Sequence, residues 1–151
     1  MRKTWPRPSN GFAVVPKLRI LFDTNVVVSA AFWQGAPFQC LAAWAEGKCE
    51  AVISPQILAE YHETMEELRA DYPKITPVEW VEALGKAAEL VFPTHRATGA
   101  TTDPNDEKIL EAALAAEADC IVSGDKKHLL ALKEYEGIPI LSPADFLRRL
   151  G

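Results

Sequence analysis

The hydrophobic pattern of the chain alternates between short continuous apolar runs and longer segments in which apolar residues recur every three or four positions. Continuous runs are typical of strands buried on both faces of a parallel sheet, and the longer spacing is typical of helices. The runs predict five strands, at residues 18–22, 50–53, 90–92, 120–123 and 138–141. We therefore expect an α/β domain whose parallel sheet is covered by helices on both faces.

Capping signals place helices between these strands. Ser54-Pro55 combines an N-cap serine with a proline at the first helical position, and Ser142-Pro143 repeats this pattern before the last helix. The predicted helices cover residues 26–32, 37–47, 55–72, 76–88, 105–118, 128–132 and 143–150. Strands that alternate with helices in this way agree with a parallel sheet.

The first 17 residues differ in composition from the rest. They contain three prolines and no acidic residue, and they carry a charge of +4 without a helical period. Their basic residues are Arg2, Lys3, Arg7 and Lys17. The sequence predicts a flexible basic tail at residues 1–17 and one domain at residues 18–151, with an added edge strand at Val14-Val15 left open.

Length and composition narrow the classes of function. With 151 residues, 48% of them hydrophobic, the chain fits one globular domain. The net charge of −5 excludes a generally basic nucleic-acid coat but allows a nucleic-acid enzyme with its acids gathered in a metal site. No membrane span or secretory signal is visible, so we expect a cytoplasmic protein. Cys40, Cys49 and Cys120 are predicted to be reduced and mostly buried.

Acidic residues stand where parallel sheets bind ligands, beyond the carboxyl ends of the strands. Asp23 follows the first strand and Asp125 the fourth, while Asp106 lies in the first turn of an alanine-rich helix, on its inward stripe. Glu60 lies in the second turn of the helix after the second strand. Four carboxylates at one edge repel each other unless a divalent cation binds. Hard oxygen donors without His or Cys select Mg²⁺ or Mn²⁺, which indicates phosphodiester hydrolysis.

Each of these acids also has a purely structural interpretation. Asp23 could cap a helix, Asp125 could form a turn, and Glu60 could be a solvated acid at the edge of an apolar stripe. Asp103 and Asp106 share a helix start, where the helix dipole favours acids. The inward position favours Asp106 as the ligand and leaves Asp103 structural.

Other polar and aromatic residues give weaker signals. Lys126-Lys127, next to Asp125, could contact phosphate or could be a solvated pair. Two of the three histidines lie on helix faces predicted to be exposed and one lies in a loop, so no catalytic histidine is expected. The four tryptophans are expected in the core or at an interface.

Four motifs in order resemble the PIN-domain family, in the branch of toxin components of toxin–antitoxin pairs (VapC-like ribonucleases). They are Ile-Leu-Phe-Asp-Thr-Asn at 20–25, Ser-Pro-Gln-Ile-Leu-Ala-Glu-Tyr at 54–61, Asp-Pro-Asn-Asp-Glu-Lys-Ile-Leu at 103–110 and Ala-Asp-Cys-Ile-Val-Ser-Gly-Asp at 118–125. Each motif is weak alone, but together they are specific, and the resemblance spans residues 18–145.

The resemblance implies a three-layer α/β/α domain with a five-stranded parallel sheet and Mg²⁺- or Mn²⁺-dependent endoribonuclease activity. The family's acidic positions fall on Asp23, Glu60, Asp106 and Asp125. Asn25 and Ser123 match polar positions that support the site. In such toxins an antitoxin protein occludes the site and the domains commonly dimerise, so an RNA substrate, a cognate antitoxin and a homodimer are expected. The basic tail has no counterpart with a known role.

The expected mechanism uses Asp23 as the central metal ligand. Asp106 and Asp125 hold the ion directly or through water, and Glu60 completes the shell or orients the attacking water. This water displaces the 3′ oxygen in line and leaves a 5′ phosphate and a 3′ hydroxyl. Since the 2′ hydroxyl is not the nucleophile, a preference for RNA must come from the groove.

Two other functions were weighed against nuclease activity. A haloacid-dehalogenase-like phosphatase would use Asp23 as nucleophile but needs a second Asp where Asn25 stands, and a receiver domain needs a lysine where Ser142-Pro143 follows the last strand. A non-catalytic PIN-like domain that binds RNA or protein is the stronger alternative. It would gain nothing from four mutually repelling acids.

Overall fold

The computed structural model describes residues 17–97, 99–101 and 103–151. Its strands are β1 (Arg19–Phe22), β2 (Glu50–Ile53), β3 (Glu89–Leu90), β4 (Cys120–Val122), β5 (Glu134–Tyr135) and β6 (Ile138–Leu141). Its helices are α1 (Thr24–Phe32), α2 (Ala36–Ala45), α3 (Pro55–Asp71), α4 (Trp80–Ala87), α5 (Pro104–Ala116), α6 (Leu129–Leu132) and α7 (Pro143–Leu150). The predicted strand at Val14-Val15 and the predicted tail, apart from Lys17, lie outside the described residues.

The strands form one sheet in the order β3-β2-β1-β4-β6-β5. The first five in this order run parallel, which confirms the predicted α/β class and its three-layer arrangement. The strand count differs, because β5 adds a sixth, antiparallel strand at the edge next to β6. Its hairpin turns at Glu136-Gly137, where both residues have positive φ (51° and 81°). Glu134 is exposed and Tyr135 half-buried, and two such residues form no apolar run, so the hydrophobic pattern gave no sign of this strand.

The strand order reverses between β1 and β4. From β1 the chain builds β2 and then β3 on one side, and after α5 it returns to place β4 on the other side of β1. Such a reversal opens a crevice at the carboxyl ends of the two central strands. The register pairs Phe22 with Val122, so the residues that follow them, Asp23 and Ser123, are neighbours at the mouth of this crevice.

The core consists of the strands and the helix faces that pack on them. Ile20, Leu21 and Ile121 are fully buried in the sheet, and α5 packs on β1 and β2 through its buried apolar stripe. The other long helices contact one another through α1, which touches α2, α3 and α4. All three cysteines are buried and free of disulfides, as predicted.

Three predictions about local structure are corrected. Helix α4 begins at Trp80 and not at residues 76–77, because the Val78 N–H donates to the Ala31 carbonyl (2.9 Å) and residues 76–79 stay non-helical. Strand β3 ends at Leu90 and not at Phe92, and the Phe92 side chain is 67% exposed. Of the two locations predicted for the tryptophans, the core is wrong for Trp33, which is 42% exposed, and an interface stays a prediction.

No single helix in the described part of the chain is long and apolar enough to cross a membrane. Helices α1 and α2 reach that length and composition only when taken together, and the chain bends by 95° between them. Both pack inside the domain, where Val27 of α1 and Leu41 of α2 are fully buried.

Candidate active site

A polar pocket of about 610 Å³ lies at the crevice between β1 and β4. The structure brings together there the four predicted acids, Asp23, Glu60, Asp106 and Asp125, which come from four separate segments of the chain. Glu63, Glu67 and Asp103 also line the pocket. Lys108 is the one basic side chain among its described lining residues, so seven carboxylates face a single positive charge. A pocket with this balance attracts cations.

Asp23 occupies the N-cap position of α1 but does not cap it with its side chain. Its Oδ2 atom instead accepts a hydrogen bond from the Ser123 hydroxyl at 2.9 Å. The residue is only 5% exposed, and this burial raises its pKa to about 6, with the charges of Glu60 and Asp125 adding to the effect. Hydrogen bonds from Ser123 and from the backbone of Thr24 offset part of the rise in pKa. The helix-cap interpretation of Asp23 is therefore wrong for its side chain.

Ser123 connects two of the acids. Its hydroxyl donates to Asp23 and accepts the backbone N–H of Asp125 at 3.0 Å, and the residue is fully buried. The Asp125 carboxylate also accepts the N–H groups of Lys127 and His128, both at 3.2 Å. Asp125 thus forms the expected turn and still lines the pocket. His128, predicted on an exposed helix face, is half-buried at the N-cap of α6.

Asp106 is the least satisfied of the acids. It lies in the first turn of α5, is 6% exposed, and its Oδ2 atom has no hydrogen-bond partner among the described residues. Burial, a hydrogen bond shared with Asp125 and the charges of nearby acids raise its pKa to about 8. Burial would raise the pKa of Asp125 as well, but the shared hydrogen bond and the His128 backbone N–H lower it overall. The two carboxyl groups therefore titrate as a pair, and the burial of Asp106 favours the proton on that residue.

Glu60 is positioned by two neighbours that the sequence did not single out as site residues. The Thr24 hydroxyl donates to Glu60 Oε2, and Tyr61, fully buried, donates its hydroxyl to the Phe22 carbonyl at the end of β1. The Tyr61 bond holds α3 against the strand that precedes Asp23. Both residues lie inside motifs that the sequence analysis quoted, but only the three-dimensional contacts reveal what their hydroxyl groups bind.

The remaining candidates divide between the pocket and the surface. Asn25 lines the pocket and is exposed to solvent. Asp103 accepts the Asn105 N–H at 2.9 Å as the N-cap of α5, so its predicted structural role is confirmed. Lys126 and Lys127 are exposed and are not among the described residues that line the pocket. Lys108, which the sequence reasoning passed over, lines it instead.

The donor chemistry fits a hard divalent cation. No three Asp, Glu, His or Cys side chains in the described ranges stand close enough to hold a metal ion as they are placed. The buried, unpaired Oδ2 of Asp106 and the raised pKa values of Asp23 and Asp106 are features that a cation would relieve. With oxygen donors alone, Mg²⁺ or Mn²⁺ is the fitting ion, and Asp23, Asp106 and Asp125 are the residues that would hold it.

The fold and the acidic pocket at its switch point define an α/β domain built around a carboxylate centre. The family profile of the PIN domain matches residues 19–127, which is most of the chain and includes all four predicted acids. The chain therefore belongs to the PIN-domain family and has a nuclease-type fold, since PIN domains are generally nucleases that use divalent metal ions. No curated protein and no solved structure matches the chain significantly.

Proposed function

We propose that the chain is a Mg²⁺- or Mn²⁺-dependent endoribonuclease that hydrolyses RNA phosphodiester bonds. The observation that carries the proposal is the gathering of Asp23, Glu60, Asp106 and Asp125 at one pocket, with a buried Asp106 oxygen left unpaired. Such an arrangement is costly for the fold by itself, because the acids repel each other and two of them resist ionisation. A divalent cation would relieve this repulsion and would let the site bind a phosphate substrate.

The chain's own residues have separate tasks in this reaction. A bound divalent ion would supply positive charge to the scissile phosphate and make a water molecule more acidic. Asp23, Asp106 and Asp125 would hold the ion, and Ser123 keeps the Asp23 carboxylate in place. Glu60, fixed by the Thr24 hydroxyl, accepts a hydrogen bond from the attacking water and orients it. The water attacks the phosphorus in line and gives up a proton to solvent, the bond to the 3′ oxygen breaks, and this oxygen takes a proton from solvent, so the products carry a 5′ phosphate and a 3′ hydroxyl.

The first experiment is cleavage of a mixed single-stranded RNA pool with Mn²⁺, with Mg²⁺ and with EDTA. We expect cutting that requires the metal and that falls by about 100-fold or more in Asp23→Asn and in Glu60→Gln. Glu63→Gln is the matched control, because Glu63 lies on the same helix and lines the same pocket. It should retain activity within about threefold, as expected for the loss of one exposed charge.

The result also decides between the proposal and its main alternative. If Asp23→Asn cuts as fast as the wild type, the site is assigned wrongly. If the wild type binds metal and RNA but cuts under no condition, the chain is a non-catalytic PIN-like module that binds RNA or protein. Thermal melting of each variant separates lost chemistry from lost folding, since Asp23→Asn should not destabilise the metal-free protein.

The biological role proposed here rests on the resemblance of the four motifs. We propose that the chain is the cytoplasmic toxin of a toxin–antitoxin pair, acts as a homodimer and is inhibited by a cognate antitoxin protein. Induced expression should then arrest growth with the wild type and not with Asp23→Asn. Sedimentation of the purified protein tests the dimer, and an unaffected culture would contradict the toxin role.

A further inference from the structure

A second groove of about 320 Å³ adjoins the acidic pocket. Gln56 and Lys108 line both, so the groove continues the pocket along the start of α5. Its outer side is formed by the segment after β3, which contributes His95 and Arg96. We call it the Arg96–Lys108 groove.

The charge of this groove is opposite to that of the pocket. Arg96 and Lys108 face it, with Glu111 as the one acid among its described lining residues. Glu111 is already engaged, since its Oε2 atom accepts the backbone N–H of Ala97 at 2.9 Å. Neither Arg96 nor Lys108 forms an ion pair or hydrogen bond with another described residue, whereas Arg19, Arg69 and several other cations do. The groove therefore presents two cations that have no ion pair with any described residue, beside seven acidic side chains.

The loop that carries Arg96 is held in place by α5. Ala97, next in the chain, is 5% exposed and packs in the core, and its N–H is bonded to Glu111. One turn earlier on the same helix, Glu107 accepts the N–H of Gly99 at 3.1 Å. Lys108 lies on this helix between the two glutamates. The side of α5 that carries Lys108 thus also sets the position of Arg96, so the two cations are placed by one rigid element.

A nucleic-acid strand in the pocket would need such cations. A divalent ion neutralises the phosphate that is cut, but each neighbouring nucleotide brings another negative charge toward a surface that already carries seven carboxylates. Exposed, unpaired Lys and Arg side chains are the groups that contact these phosphates in nucleic-acid complexes. The continuous groove offers them directly beside the site, whereas Lys126 and Lys127 do not line it.

We propose that the Arg96–Lys108 groove binds the phosphates of the RNA strand next to the cleaved bond, with Arg96 and Lys108 as substrate-binding residues. This inference rests on the proposed nuclease function and adds the path of the substrate. Backbone contacts do not read sequence, so the contribution of both residues should be equal for different bases.

The test measures binding without cleavage. The full chain is titrated in EDTA against fluorescein-labelled oligo-U and oligo-A of about 12 nucleotides, at about 50 to 200 mM salt. Arg96→Gln and Lys108→Gln should each weaken binding about threefold at 0.1 M salt and lower the slope of log K against log salt by about 0.7. The double variant should lose about tenfold and about 1.4 in slope, equally for both oligomers.

Lys86→Gln is the matched control. Lys86 is exposed on α4, just before the amino end of β3, and its ammonium group lies 3.4 Å from the Glu82 carboxylate. The substitution removes one positive charge at the amino ends of the strands. It should leave both the RNA affinity and the slope of log K against log salt unchanged. Equal melting temperatures for all variants show that folding is intact.

The outcomes separate this inference from the proposed function. If Arg96→Gln and Lys108→Gln bind as Lys86→Gln does, or if the wild type binds no RNA, the groove inference is overturned even where metal-dependent cleavage is found. If the binding losses appear but no RNA is cut, the groove inference stands and the nuclease proposal fails. Where cleavage occurs, the losses should raise KM and leave kcat within about twofold.

Discussion

At the scale of single residues, the site depends on hydrogen bonds that arrange acids which would otherwise separate. Ser123 is the clearest case, because one buried hydroxyl serves the Asp23 carboxylate and the Asp125 backbone at the same time. Neither partner has an obvious substitute in the described structure. Small polar residues next to the acids are therefore as important to the arrangement as the acids themselves.

Ser123→Ala should reduce both stability and activity. The change leaves the buried Asp23 Oδ2 and the Asp125 N–H without their partner, which costs about 1–3 kcal/mol in the free energy of unfolding. With Asp23 no longer fixed, we expect RNA cleavage to fall by about tenfold or more. Urea unfolding and cleavage rates measure the two effects.

Ser142→Ala is the control for this change. Ser142 caps α7 by accepting the Asp145 N–H at 3.1 Å, and it does not line the acidic pocket. Its loss should cost about 1 kcal/mol in stability and leave cleavage unchanged. Equal activity losses in Ser123→Ala and Ser142→Ala would show that the effect of Ser123 is only destabilisation.

At the scale of elements, Tyr61 joins α3 to β1. Its hydroxyl bonds the Phe22 carbonyl, and the adjacent Glu60 is thereby held near Asp23. Tyr61→Phe keeps the ring in the core but removes this bond, so the Phe22 carbonyl loses a partner. We expect a loss of about 1 kcal/mol in unfolding free energy and a fall in cleavage several times larger than that of Met65→Leu, measured at equal temperature.

The control for Tyr61→Phe lies on the same helix. Met65 is a buried residue of α3 that forms no part of the described pocket lining, and leucine conserves its volume. If Met65→Leu and Tyr61→Phe reduce cleavage equally, general loosening of α3 explains the result and the anchoring role is wrong.

Sequence alone could place the elements and three of the acids, because the inward stripe of the predicted alanine-rich helix already favoured Asp106. Asp23 and Asp125 follow buried apolar runs, and a parallel sheet brings such positions to one edge whatever the details of packing. Glu60 could not be placed in this way, because its helix also presents Glu63 and Glu67 and only the contact with Thr24 distinguishes it. The family resemblance, and not the periodicity, singled out Glu60 among the glutamates of this helix.

Features that depend on spatial neighbours were beyond the sequence. The opposite pKa shifts of Asp106 and Asp125 arise from a contact across 19 positions of chain, and the β5 hairpin depends on pairing with β6. Lys126-Lys127 looked suitable for phosphate because of their position in the sequence, whereas the groove is lined by Lys108 and Arg96. Which lysines line the pocket and the groove depends on side-chain direction, and no pattern of residue types encodes it.

At the scale of the whole molecule, the metal-free protein should lose stability as the pH rises from 5 to 8.5. The pKa values of Asp23 and Asp106 lie at about 6 and 8 in the folded state against 3.8 ordinarily, so the folded state holds protons that the unfolded chain releases. This stabilisation is complete below pH 4 and is lost as the pH rises through 6 and 8. Asp23 contributes about 3 kcal/mol to this stabilisation below pH 4, and about 1.4 kcal/mol of that is lost between pH 5 and 8.5.

Urea unfolding in EDTA at a series of pH values measures this loss. Asp23→Asn should show a smaller decline than the wild type, because it removes one of the two groups concerned. Mn²⁺ or Mg²⁺ should stabilise the wild type most at pH 8, by about 2.7 kcal/mol when the ion is present at about 100 times its Kd. A stability that stays constant or increases between pH 5 and 8.5 in EDTA would contradict the assignment of the raised pKa values.

The three buried cysteines make local opening of the folded protein measurable. Burial raises the pKa of the Cys40 and Cys49 thiols to about 12 and raises that of Cys120 further, so in the folded state they are both unreactive and shielded from reagents. A thiol-labelling reagent can react only when α2, the segment before β2, or β4 separates from its neighbours. The labelling rates of Cys40, Cys49 and Cys120 therefore measure the local opening of three segments separately. We expect metal to slow the labelling of Cys120 most, because β4 leads to Ser123 and Asp125.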